Sequence, residues 1–454
     1  MEFLSFLDRE HSIAKPGYSR WLVPPAALAI HLCIGQVYAF SVFKIPLTQL
    51  LGKTKPLPED WTQSQLAWIF SLAIVILGLS AATFGKWLEA AGPRKAMFVS
   101  ATCFAFGFFI SYFGVVSHQL WLIYFGYGVI GGIGLGIGYI SPVSTLIRWF
   151  PDRPGLATGM AIMGFGGGAM IGSPLAIKLM AYFRTPADLG VGQTFLVMGA
   201  LYFLLMMFGV FTIRVVPQGW KPENWSAPVK KRKLITEHNV DVNTAFLTPQ
   251  FWLLWIVLCT NVTAGIGILE QASPMIQEFF KGSIGPVAAS GFVGLLSLFN
   301  MAGRFFWASV SDFIGRKPTY FIFFTLGAIL YFLLPRTGAD HLNSVALFVI
   351  ISVVLLSMYG GGFATIPAYL RDLFGTHHVS AIHGRLLTAW SVAGVLGPML
   401  VNYMREYQIA HGADKASAYQ TVLHVMAALL VVGFVANLLV RPVAQKYWMA
   451  EKQS

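Results

Sequence analysis

Twelve apolar stretches run through this sequence, at about 21–45, 63–85, 96–116, 120–147, 154–178, 193–214, 250–271, 286–309, 318–335, 343–366, 381–404 and 419–440. A helix needs roughly 20 apolar residues to cross the hydrocarbon core of a bilayer, and nearly every stretch reaches that length. In lipid the backbone must satisfy its own hydrogen bonds, which leaves helices or closed barrels. Apolar runs this long and this uniform are helices. The expected fold is all-α and integral to a membrane, with twelve transmembrane helices.

Composition agrees. Of 454 residues, 56% are hydrophobic and 11% charged, with a mean hydropathy of +0.66. Soluble domains carry roughly 25% charged residues. The 46 glycines and the 15% aromatic content suit packed membrane helices, where Gly lets backbones approach and Trp and Tyr sit at interfaces. A net charge of +12 would suit nucleic acid if it were gathered on one face. Here it is spread over short loops, so the expected partner is the lipid bilayer and not nucleic acid. Cys33, Cys103 and Cys259 each fall inside an apolar span and suggest neither a disulfide framework nor a metal site. The first twenty residues, with Asp8, Arg9, Glu10, Lys15 and Arg20, are too polar for a cleavable signal peptide.

Cytoplasmic loops are rich in Lys and Arg. With the N-terminus inside, 22 of the 31 basic residues fall on the cytoplasmic side. The others, Lys44, Lys53, Lys55, Lys178, Arg184, Lys281, Arg336, Arg405 and Lys415, fall outside. Acidic residues split 11 to 8, so the bias is in the cations. Both termini are expected in the cytoplasm.

The longest polar segment, 215–249, contains Pro217, Pro222 and the run Lys230-Lys231-Arg232-Lys233. It divides the chain into a tail at 1–20, a six-helix bundle at 21–214, the linker itself, a second six-helix bundle at 250–440 and a tail at 441–454. The basic run reads first as a topology determinant, with a capacity for lipid headgroups or a partner.

The halves share a motif. After the second span comes Gly85-Lys86-Trp87-Leu88-Glu89-Ala90-Ala91-Gly92-Pro93-Arg94-Lys95, and after the eighth Ser311-Asp312-Phe313-Ile314-Gly315-Arg316-Lys317. In each, an acid (Glu89, Asp312) precedes Gly by three residues and a basic pair follows. Two such loops 223 residues apart, in register within their halves, indicate duplication.

These loops resemble the signature of the major facilitator superfamily. Further stretches resemble its oxalate/formate antiporter family, a relative of the monocarboxylate transporters. They include Arg148-Trp149-Phe150-Pro151-Asp152-Arg153-Pro154-Gly155, Thr248-Pro249-Gln250-Phe251-Trp252, Asn300-Met301-Ala302-Gly303-Arg304 and Asp372-Leu373-Phe374-Gly375-Thr376. The resemblance covers nearly the whole chain. It implies two six-helix bundles around a central cavity that rock to expose a midplane substrate to each side in turn. It implies that Glu89 and Asp312, with Gly92, Arg94, Gly315 and Arg316, form conformational motifs joining the bundles on the cytoplasmic side. The family usually has Asp at both acid positions, so Glu89 departs from it.

Charge inside a bilayer is costly and functional by default. Arg304 lies eight residues, roughly 12 Å of helix, before Asp312, well inside the eighth span. A guanidinium there can clamp a carboxylate bidentately, and the position matches the family's substrate-binding Arg. The alternative is a structural Arg paired with Asp312 or a helix C-terminus. Asn300 sits one turn earlier on the same face, where monocarboxylate transporters often carry Asp.

By the same resemblance, Trp390 occupies the place of the family Lys that grips the second carboxylate of oxalate. One cation cannot neutralise a dianion, so a monocarboxylate is the expected cargo. Tyr38 and Tyr139 match substrate-bonding tyrosines, and Tyr359, Phe165 and Phe363 line the implied pocket. Glu270 and His31 are the proton-coupling candidates. A boundary position for Glu270, and a neutral His31 bonded to a carbonyl, are the structural alternatives. His377, His378 and His383 read as loop or loop-end residues without metal-ligand spacing.

The glycine runs 131–138 and 164–168 look like phosphate loops only out of context, since no strand precedes them and both lie in apolar spans. Close helix packing explains them. No Walker Lys, cofactor motif or intramembrane catalytic constellation is present, so an enzyme is not expected. The expected function is secondary transport of a small carboxylate such as lactate, pyruvate or formate, by proton symport or exchange. A monomer in a bacterial inner membrane is the expected setting. A dicarboxylate exchanger and a transporter-like sensor remain as alternatives.

Overall fold

The computed structural model describes residues 2–223, 234–338 and 342–450, with side chains described at all of these except 2–4, 270, 286 and 287. The basic run at 230–233 lies outside the described residues. Among those described, secondary structure is helical with no strand, apart from two isolated bridges.

Twelve helices are long and apolar enough to cross a membrane. They are α1 Arg20–Ala39, α2 Gln63–Ala91, α3 Pro93–Val116, α4 Leu120–Trp149, α5 Pro154–Phe183 and α6 Val191–Thr212. There follow α7 Pro249–Leu269, α8 Ala288–Ile314, α9 Arg316–Thr337, α10 Val345–Phe374, α11 Val379–Ala410 and α12 Ala418–Leu439. Each matches one apolar stretch of the sequence.

Local chemistry sets the ends. Thr62 and Gln65 form a capping box at the start of α2, and Thr248 caps the helix that carries α7, which has Pro249 at its first position. Between α2 and α3, Gly92 turns the chain at φ 86°, and between α8 and α9, Gly315 does so at φ 99°. These are left-handed conformations that favour glycine. Both motif glycines therefore close one helix and open the next.

Two helices of the first half change type along their length. In α1 the α-helical part ends at Ile34 and Gly35–Ala39 is 3-10; in α4, Tyr124–Gly131 is π-helical. The helix carrying α7 continues through Pro274 to Phe279, beyond the apolar stretch that foretold it.

The chain divides into two compact units. The first comprises Met1–Asp152, Met160–Ser226 and Ser380–Ser391; the second comprises Arg153–Gly159, Ala227–Val379 and Val392–Ser454. Each unit thus takes the opening turns of one helix from the other half of the sequence. Packing repeats between them with a shift of six helices. In the first unit α1 packs on α4 and α6, α2 on α4, and α3 on α6; in the second α7 packs on α10 and α12, α8 on α10, and α9 on α12.

Candidate functional site

The second unit holds a cation buried within a transmembrane helix. Arg304, on α8, is 0% exposed. Its Nε donates to Oδ1 of Asn300 one turn earlier at 3.2 Å. Its guanidinium lies over the Phe363 ring of α10, 5.1 Å from the centroid. Tyr359 meets Phe363 edge to face at 5.3 Å. Glycine makes this closeness possible. A methyl group at Gly360 would run into the Asn300 oxygens and the Arg304 side chain, and one at Gly303 into the backbone of Ser357. The α8–α10 contact therefore fixes where the guanidinium sits. α5 contributes Gly159, whose added methyl would lie 3.1 Å from the Arg304 carbonyl.

The first unit holds an aromatic cluster. Trp390, in the opening turns of α11, lies 5.2 Å from Tyr139 of α4, 5.2 Å from Phe165 of α5 and 6.4 Å from Tyr38 of α1, between ring centroids. Tyr38 and Tyr139 each meet Phe165 at 5.3 Å. Tyr139, Phe165 and Trp390 are fully buried and Tyr38 is half-buried. Gly35 and Gly168 bring α1 onto α5, since a side chain at either would strike the other helix's backbone. That approach sets Tyr38, three residues after Gly35, against Phe165.

The structure thus gathers Arg304, Asn300, Tyr359 and Phe363 in one unit, and Tyr38, Tyr139, Phe165 and Trp390 in the other. His31 joins the second group, buried, 5.4 Å from Tyr139, with Nδ1 3.1 Å from the Ala27 carbonyl. Glu270 lies within the helix that carries α7, and its side chain is outside those described. His383 departs from the loop-end expectation. It sits in the helix Val379–Leu386, 2% exposed and 5.9 Å from Tyr139. Apolar patterning at the start of α11 is weak there, which hid it.

The repeated motifs end in helix caps. Asp312 accepts from the backbone N–H groups of Gly155 at 2.8 Å and Leu156 at 2.9 Å, at the start of α5. Unpaired N–H groups and the helix dipole make such an end a carboxylate site. The same carboxylate pairs with Arg316 at 2.6 Å, which also reaches Asp372 at 3.2 Å. In the first unit, Glu89 accepts from the Ala381 N–H near the start of α11 at 3.3 Å. Arg94 does not mirror Arg316. Its Nη1 donates to the Phe6 and His11 carbonyls at 2.7 and 3.2 Å, and Nη2 to Ile213 at 3.4 Å. Asp372 opens one of the family-like stretches, but nothing in the sequence shows that it pairs with Arg316.

Comparison with known proteins gives one consistent answer. The profile of the Major Facilitator Superfamily matches residues 26–398 and 272–450. The oxalate:formate antiporter of Oxalobacter formigenes is 27% identical over 382 residues, covering 84% of this chain and 83% of that protein. Apicoplast pyruvate carrier 1 of Toxoplasma gondii is 24% identical over 369 residues, covering 71% of this chain and 66% of the carrier. Among solved structures, the transporter FucP in the outward conformation superposes with a TM-score of 0.64 at 13% identity, over 91% of this chain and 97% of FucP. At that identity the likeness is one of fold.

Proposed function

We propose that this chain, which belongs to the Major Facilitator Superfamily, moves a small organic anion with one carboxylate, of the formate, lactate or pyruvate class, by alternating access. It is a transporter and an integral membrane protein, not an enzyme.

Arg304 carries the reading. A guanidinium with no exposed surface, inside a transmembrane helix, costs several kcal/mol unless an anion or a dense polar shell offsets it. Asn300 and the Phe363 face hold it in one orientation, and its fork matches a carboxylate. Trp390 sits among aromatic rings where the resembling family has its second cation. One guanidinium matches one carboxylate, which favours a monoanion over oxalate. The names of the two relatives, an oxalate:formate antiporter and a pyruvate carrier, support the substrate class. The antiporter's name also supports dicarboxylate exchange as a second reading.

In this account the carrier runs on exchange or on a proton, with Glu270 and His31 as coupling candidates. Glu89 and Asp312 act as latches on the helix starts they cap. Both termini face the cytoplasm, in the inner membrane of a bacterium, and the carrier works as a monomer.

Counterflow tests the reading. Proteoliposomes loaded with unlabelled formate, lactate, pyruvate or oxalate are offered the labelled acid. Transient accumulation of at least one monocarboxylate, above that of oxalate, is expected. Oxalate alone accumulating would replace the first reading with the second.

A further inference from the structure

Two imidazoles of the first unit meet one phenol. His31 of α1 and His383 of α11 are 0% and 2% exposed, and their centroids lie 5.4 and 5.9 Å from that of Tyr139 on α4. Nε2 of His383 has no hydrogen-bond partner among the described residues. A buried polar atom left without a partner is costly, and on an imidazole it is a place where a proton can be exchanged. Like charges in one buried site repel, so such a pair takes one proton far more readily than two.

Ser380 lies one helical turn before His383, on the same face. Its buried hydroxyl also has no partner among the described residues. Ser380 lines a cavity of about 20 Å³ with Glu89, Arg148 and Arg9, enough for one water. Glu89 in turn accepts from the Ala381 N–H. The titratable and charged groups of the pair and this cavity are Tyr139 and Arg148 from α4, Glu89 from α2, Arg9 from the segment before α1, and Arg385 two residues after His383 on α11. From α5 comes the uncharged Phe165.

We propose that His31 and His383, gathered against Tyr139, form the proton-binding element of this carrier, with Ser380 and Glu89 as its route to the cytoplasmic side. This rests on the transport reading above and chooses symport within it. A proton adds to the lone pair of one neutral imidazole. The imidazolium balances the charge of the carried carboxylate, and proton and anion are released on the other side. Each cycle moves one proton and one monoanion, with no net charge.

Proteoliposomes holding the full chain and the pH dye pyranine provide the test, with formate, lactate, pyruvate and oxalate added singly outside. Uptake by the wild type acidifies the lumen. In His31→Gln and His383→Gln, the ratio of acidification to counterflow falls at least tenfold. In His424→Gln, on α12 in the second unit, the ratio keeps its wild-type value. If His383→Gln does not reconstitute, His31→Gln alone decides. Counterflow without proton movement in the wild type, or a ratio within twofold of wild type in the reconstituted histidine variants, overturns the inference and leaves the transport reading standing. Counterflow by none of the four acids removes both.

Discussion

Trp390 stands edge-on to Tyr139, with ring centroids 5.2 Å apart and planes 65° apart. The indole is fully buried against Tyr38, Tyr139 and Phe165. In the proposed reading it stands where the resembling family carries a cation for a second carboxylate. Trp390→Lys is therefore expected to raise oxalate counterflow relative to lactate at least tenfold, the worth of one charge-assisted hydrogen bond of about 1.5–3 kcal/mol. Trp390→Phe keeps the monocarboxylate preference. An unchanged oxalate-to-lactate ratio in the Lys variant would show that this position does not set selectivity.

The two capped helix starts differ in strength. Asp312 receives two backbone N–H groups and Arg316, with side chains 9% and 6% exposed. Glu89 receives the Ala381 N–H at 3.3 Å. Asp312→Asn leaves a buried guanidinium with Asp372 as its remaining acid and costs about 3 kcal/mol. Glu89→Gln costs about 1 kcal/mol. Thermal unfolding in detergent should rank them in that order, and equal losses would mean the caps are equivalent.

Gly360 governs the guanidinium without touching the chemistry. A methyl group there collides with Asn300 and Arg304, so Gly360→Ala displaces both. Substrate affinity, read by ligand-induced thermal shift, is expected to fall at least tenfold. Gly412→Ala is the control for general destabilisation, because nothing lies within 4 Å of its added carbon, although its φ of 90° strains the backbone. A Gly360→Ala protein with wild-type affinity would show that Arg304 tolerates displacement.

Most of the helical frame was legible in the sequence because hydropathy reports directly on what lipid requires. All twelve stretches became helices, and the glycines of the two motifs lie where the chain must turn at positive φ. Hydropathy does not report which helix packs on which. Hydropathy in the run 380–391 does not show that it belongs with the first unit; only the family resemblance put Trp390 near Tyr38. His383 was hidden for the same reason, since a polar residue near a span boundary has the same signature whether it faces water or Tyr139. The π-helical turns at Tyr124–Gly131 also escaped; there Gly126 packs closely on Gly107 of α3.

Acid sensitivity has a local source outside the membrane. The Ala416 N–H and the Lys281 ammonium hold the Asp414 carboxyl far below the usual carboxylate range. A depressed folded-state value gives stability that is present above the unfolded value of about 4 and is lost as pH falls through the folded one. The difference in melting temperature between wild type and Asp414→Asn should be constant from about pH 5 to 8 and shrink below about pH 4. A difference that persisted in strong acid would place the effect elsewhere.

The central claim is that Arg304 grips the carboxylate of the cargo. Binding of lactate, pyruvate and formate to purified Arg304→Gln measures it most directly, with unfolding curves of the unliganded protein as the check on folding. Loss of one bidentate charge-assisted contact predicts an affinity at least a hundredfold weaker for every monocarboxylate the wild type binds, and a partial return in Arg304→Lys. Undiminished affinity in a folded Arg304→Gln protein would contradict the account.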